Sequence, residues 1–155
     1  MDVQVIQMDP IRVVMLRHVG PYEGLSDSFE TLYNWVEKHG VPAGRMIGIY
    51  WDNPEFVPAN QLKSAACVEV PVDYLMNSRD GLNIQIDELA GGSYATTRFV
   101  GPYDKLEAVW AQLTNHVEGN LRREISENPA FEVYVNDPSD TPENALITEL
   151  FMPLV

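Results

Sequence analysis

The sequence predicts an α+β fold: an antiparallel sheet carrying two main helices, arranged as a tandem pseudo-twofold repeat. Three observations lead there. A segment near the start of the chain recurs 81 residues later. Apolar residues at period two flank each copy, which is the signature of half-buried strands. Each copy also holds one apolar stripe at helical spacing.

The repeat sets the architecture. Val19-Gly20-Pro21-Tyr22 returns as Val100-Gly101-Pro102-Tyr103, and the alignment runs without a gap from Val3–Val36 to Ile84–Val117. Ten of these 34 positions are identical: the four just named, Gln4/Gln85, Arg17/Arg98, Leu25/Leu106, Leu32/Leu113, Asn34/Asn115 and Val36/Val117. A period this long is too large for a solenoid. It implies one domain over residues 1–155, with repeat 1 over about 1–80 and repeat 2 over about 81–155.

Each element follows in order. Val3, Val5 and Met8, matched by Ile84, Ile86 and Leu89, predict a first strand. Asp9-Pro10 and Gly91-Gly92 predict the turn after it. A second strand is expected over Arg12–Val19 and over Tyr94–Val100. Gly-Pro ends it, because proline fixes φ and lacks a ladder donor. Leu25, Phe29, Leu32, Tyr33 and Val36 then line one helix face, with Gly40 as the stop. Leu106, Val109, Trp110, Leu113 and Val117 do the same in the second half. Ile47–Trp51 and Ala65–Pro71 close the first half, and Phe131–Val135 and Leu146–Pro153 close the second at a spacing of 84. Pro54, Pro58, Pro138 and Pro142 place proline-rich loops at matching points. Short connections make antiparallel pairing natural.

Composition narrows the function. The 155 residues carry 23 Asp and Glu against 10 Lys and Arg, a formal net charge of −13. Such a surface repels phosphate backbones, and Arg122-Arg123 is the only adjacent basic pair, so direct nucleic-acid binding is not expected. The longest apolar runs are too short to span a bilayer. The N-terminal stretch has no basic residue before Arg12, unlike a signal peptide. Cys67 is the single cysteine, which excludes an internal disulfide and fits a reducing cytoplasm. It lies in the apolar run Ala65–Val68 and reads as an inert core residue. His18, His39 and His116 fall in different elements with no ligand spacing, so neither a metal nor another cofactor is expected. There is no nucleophile elbow and no phosphate-cradling glycine loop.

Along Phe131–Val135, Phe131, Val133 and Val135 share one face, and Glu132 and Tyr134 share the other. A solvated outer face is one reading of that pattern. The duplication points elsewhere. Gly48 stands where Glu132 would be in the first half, and Tyr50 stands where Tyr134 would be. Two tyrosines and one acid suit a single site better than a generic surface. Trp110 occupies the position of Phe29 and reads equally as core or as the wall of a site. Trp51 is a weaker lining candidate, and Glu149 a weaker second acid. Tyr22 and Tyr103, kept in both halves at the Gly-Pro turns, read as structural.

The Val-Gly-Pro-Tyr turn, Tyr50-Trp51-Asp52-Asn53-Pro54, Gly91-Gly92-Ser93-Tyr94-Ala95 and Pro129-Ala130-Phe131-Glu132-Val133-Tyr134, in this order, resemble the GyrI-like family across essentially the whole chain. That family includes DNA gyrase inhibitory proteins and the effector-binding domains of AraC-type and MerR-type regulators. The resemblance implies two SHS2-like modules around a groove for lipophilic, often cationic, small molecules. It also implies a groove glutamate, which falls on Glu132. With no room for a helix-turn-helix domain, the chain looks like a stand-alone member. The expected ligand-binding residues are Glu132, Tyr134, Trp110 and Tyr50. A carboxylate in an aromatic groove costs several kcal/mol if ionised and unpaired, and a cationic ligand relieves that cost. Aromatic faces add ~0.5–2 kcal/mol each. The resemblance favours a non-enzymatic binding protein that protects gyrase, with gyrase itself as a candidate partner for so acidic a chain. The alternative is a hydrolase of cyclopropane-bearing electrophiles, in which Glu132 activates water beside Tyr134. A third reading is a sensor that works through a separate regulator.

Overall fold

Eight strands and two helices follow one another in the computed structural model, which describes residues 1–76 and 83–155. They are β1 (Gln4–Met8), β2 (Ile11–Val19), α1 (Leu25–Lys38), β3 (Met46–Tyr50), β4 (Lys63–Glu69), β5 (Ile84–Leu89), β6 (Gly92–Val100), α2 (Leu106–Asn115), β7 (Ala130–Tyr134) and β8 (Ile147–Pro153). Every strand expected from the alternating pattern is present, with ends displaced by a residue or two. The expected boundary near residue 80 lies outside the described residues.

The chain divides into two compact units, Met1–Asp9 with Gly91–Val155, and Pro10–Ala90. These units do not coincide with the sequence repeats. Within the first, the strands run β1-β6-β8-β7, and within the second β3-β4-β2-β5. All pairs are antiparallel. The first strand of each repeat therefore joins the sheet of the other: β1 pairs with β6, and β5 pairs with β2. The two strands carry the same alternation, so the pattern announces a strand at each place without stating its neighbour.

In the unit containing α1, the helix lays Leu25, Leu32, Trp35 and Val36 onto Val14, Ala66 and Val68 of the sheet. Gly40 ends it at φ +59°, and the Val41 N–H returns to the Val36 carbonyl at 3.1 Å, a left-handed cap that glycine adopts without steric cost. In the other unit, Leu106, Val109, Leu113 and Val117 pack onto Ala95, Leu150 and Met152. There α2 runs on into one wide π-turn, His116–Asn120. On the opposite face of that sheet, Tyr94 meets Phe131 edge-on at 5.4 Å, and Phe131 stacks on Phe151 at 4.7 Å.

The duplicated turn works identically in both units. The Gly20 N–H donates to the Leu62 carbonyl and the Gly101 N–H to the Leu146 carbonyl, each at 2.8 Å. Both glycines hold positive φ, at +132° and +151°, which explains why glycine precedes the proline in each copy. Each turn feeds a short 3-10 segment, Tyr22–Gly24 or Tyr103–Lys105, that leads into its helix.

Candidate functional site

The register of β7 decides where Glu132 points. Glu132 lies opposite Leu150, and Tyr134 opposite Thr148. Directly paired residues share a face, and Leu150 belongs to the core beneath α2. Glu132 therefore lies on the helix-covered face of its sheet and is 4% exposed. The solvated-face reading of this position does not describe the structure.

Two aromatic residues hold the carboxylate. Trp110, on α2, donates its indole Nε1–H to Oε2 at 2.6 Å, and Tyr134 donates its hydroxyl to Oε1 at 2.7 Å. These are short bonds of the charge-assisted kind. Both donors are neutral, so these two bonds orient the carboxylate through hydrogen bonding alone. Tyr103 adjoins the cluster, meeting Tyr134 edge-on at 5.6 Å. Burial raises the Tyr103 phenol above its usual range, and the charges of Asp137 and Glu132 add to that.

The structure thus brings Glu132, Trp110 and Tyr134 together within one compact unit. Tyr50 belongs to the other unit, where it meets Tyr22 edge-on at 4.9 Å. Tyr22 bonds the Asp52 carbonyl through its hydroxyl, and burial pushes its phenol up to about 12. Trp51 lies 5.2 Å beneath the Arg17 guanidinium, a cation–π contact. Glu149 does not join Glu132. It sits opposite Val133 and Arg98, on the other face, and its carboxylate meets Arg98 at 3.2 Å. Cys67 is fully buried, and desolvation drives its thiol far above the usual range, as befits a packed core residue.

Tyr103 is the member that sequence reasoning assigned to structure alone. The duplication carried the missing signal. Tyr22 and Tyr50 form an edge-to-face pair, and their counterparts Tyr103 and Tyr134 form the same pair, so an acid beside one of the latter falls near both. A shallow cavity of about 430 Å³ lies in the same unit, lined in part by Asp2, Thr97, Phe99, Lys105 and Gln112. It shares no lining residue with the Glu132 cluster.

A DNA gyrase inhibitor of Citrobacter rodentium is 32% identical over 138 residues, covering 88% of this chain and 87% of the relative. The C-terminal domain of EcmrR matches with a TM-score of 0.83 at 18% identity, covering 99% of this chain and 97% of that one. SAV2435 bound to tetraphenylphosphonium matches with a TM-score of 0.66 at 17% identity, covering 100% and 94%. At these identities the two structures speak for the fold. The fold is an α+β one, eight antiparallel strands with two helices, shared with these structures. The chain belongs to the GyrI-like small-molecule-binding domain family, whose model matches residues 1–155.

Proposed function

We propose that the chain binds a lipophilic cation at Glu132, walled by Trp110, Tyr134 and Tyr103, and acts as a binding protein that protects gyrase. One observation carries this reading: a nearly inaccessible carboxylate is fixed by an indole N–H and a phenol O–H rather than exposed to solvent. A cation drawn to that position is attracted by the carboxylate and by the aromatic faces together. SAV2435, bound to an aromatic phosphonium, shares the fold and supports the choice of ligand class. Kinship with DNA gyrase inhibitors supports the gyrase part, and the net charge of −13 suits a basic protein surface.

The test is calorimetric titration with tetraphenylphosphonium and with neutral triphenylphosphine oxide. Wild type should bind the cation, and Glu132→Gln should weaken it by roughly 10- to 100-fold, about 1.4–2.7 kcal/mol, while the neutral compound loses little. Equal cation affinity in both proteins refutes the role of Glu132. Inhibition of gyrase supercoiling by purified protein checks the second half. Turnover of a cyclopropane electrophile that Glu132→Gln abolishes would replace the binding reading with hydrolysis.

A further inference from the structure

The duplication leaves two comparable sheet edges, β1 and β5. Each lies at the end of its unit's strand order, and each pairs on one side only, β1 with β6 and β5 with β2, among the described residues. An edge strand exposes a row of main-chain donors and acceptors, and proteins guard it with charge. Here the two edges differ. Aligned by the repeat, β5 reads Gln85-Ile86-Asp87-Glu88-Leu89, and β1 reads Gln4-Val5-Ile6-Gln7-Met8. Asp87 and Glu88 stand where β1 has Ile6 and Gln7. The stretch Val3–Met8 holds no charge at all, in a chain where 21% of residues are charged. It is also accessible: Gln4, Val5 and Gln7 are exposed, Val5 by 43%.

We propose that β1 pairs edge to edge with β1 of a second copy, antiparallel about a twofold axis at Ile6. The strand suits itself. Its midpoint Ile6 faces the same residue of the copy, Val5 faces Gln7, and Gln4 faces Met8, so all five residues overlap. A twofold perpendicular to the sheet keeps equivalent faces on the same side, which this register satisfies. The seam is neutral, so two molecules of charge −13 meet where neither presents a carboxylate. The same operation at β5 sets Asp87 opposite Asp87, and like charges directly opposite oppose pairing. One copy of the repeat thus carries the guard against self-association and the other lacks it.

A five-residue strand is only ~17 Å long. Its pairing buries less than the ~1,200–2,000 Å² of a stable complex. A weak dimer is expected, with a Kd on the order of 100 μM. Sedimentation velocity on the purified chain from about 10 μM to 1 mM should show the average mass rising from 17.5 kDa toward twice that value. Higher salt should strengthen association by screening the net charge. Ile6→Asp and Gln7→Glu should each hold the chain monomeric across the range, with circular dichroism confirming the fold. Gln7 is exposed, so its variant carries the test even where Ile6→Asp disturbs the half-buried strand. Asp87→Ile with Glu88→Gln should open a second edge and give species larger than a dimer. A wild type that stays monomeric at 1 mM overturns the proposal, as does association that Gln7→Glu and Ile6→Asp leave unchanged.

Discussion

The bond between Trp110 and Glu132 predicts a specific pattern of coupling. Trp110→Phe removes the donor at 2.6 Å and leaves the carboxylate buried. Phenylalanine fits the helix, since Phe29 occupies the equivalent position of α1 and packs on that unit's core. A hydrogen bond to a charged acceptor contributes about 1.5–3 kcal/mol, so the variant should lose about that much. For a chain of this size the melting temperature should fall by roughly 3–12 °C. Glu132→Gln should cost less. Its amide has one acceptor oxygen for the indole N–H and the Tyr134 hydroxyl, and these two donors are not alike. The indole N–H can only donate and claims the oxygen, whereas the Tyr134 hydroxyl can turn and accept from the new NH₂. In the Glu132→Gln background the indole bond is neutral to neutral, worth about 0.5–1.5 kcal/mol. The double-mutant cycle should therefore show coupling of about 1–2 kcal/mol. Urea unfolding followed at 222 nm, at pH 7, supplies all four stabilities. Additivity within ~0.3 kcal/mol would refute the argument, because it would mean the indole bond gains nothing from the acceptor's charge.

Two pH effects follow from groups outside the cluster. Burial raises the Tyr22 phenol to about 12 in the folded chain, above its ordinary value of 10.0. A raised value adds stability that is complete below pH 10 and disappears as pH climbs toward 12, so wild type should lose more of its melting temperature than Tyr22→Phe between pH 9.5 and 11.5. At the acid end, the Arg45 guanidinium grips Glu69 at 2.8 and 2.9 Å and lowers its carboxyl below 4.5. A lowered value adds stability that is complete above about pH 4.5 and is lost as pH falls through the folded value. The pair is partly exposed, so Arg45→Gln should cost about 0.5–1 kcal/mol at pH 7, and the gap to wild type should close as the pH is taken below 4.5 in urea titrations.

The strands and helices were legible because alternation and helical spacing are local properties. Val3, Val5 and Met8 mark a strand whatever it pairs with, and Leu25 to Val36 mark a helix face wherever the sheet lies. Partner choice is not local. β1 and β5 carry matching patterns, so nothing in them says that each leaves its own repeat, and the compact units are consequently not the repeats read from the alignment. The same limit applies to the site. Alternation along β7 separated Glu132 and Tyr134 from Phe131 and Val133, but the side that α2 covers follows from the β7–β8 register. Tyr103 escaped notice because a residue kept in both repeats reads as scaffold. It serves there as scaffold for Tyr134 and, through Tyr134, for the acid.

The two units together show how the acid was accommodated. The frame is the same in both: an edge-to-face tyrosine pair, Tyr22 with Tyr50 or Tyr103 with Tyr134, and a helix that carries an aromatic over the sheet. Within that frame two positions differ as a set. One unit has Gly48 with Phe29, and the other has Glu132 with Trp110. Neither difference stands well alone. A carboxylate beside phenylalanine would lose its indole donor, and a buried polar group left short costs about 1–3 kcal/mol, more when charged. An indole beside glycine would give up its acceptor. The acid and its donor therefore form one unit of chemistry, set on a scaffold that the other repeat shows to be complete without it. On the proposed function, that scaffold independence is why Glu132→Gln should weaken cation binding while the fold survives.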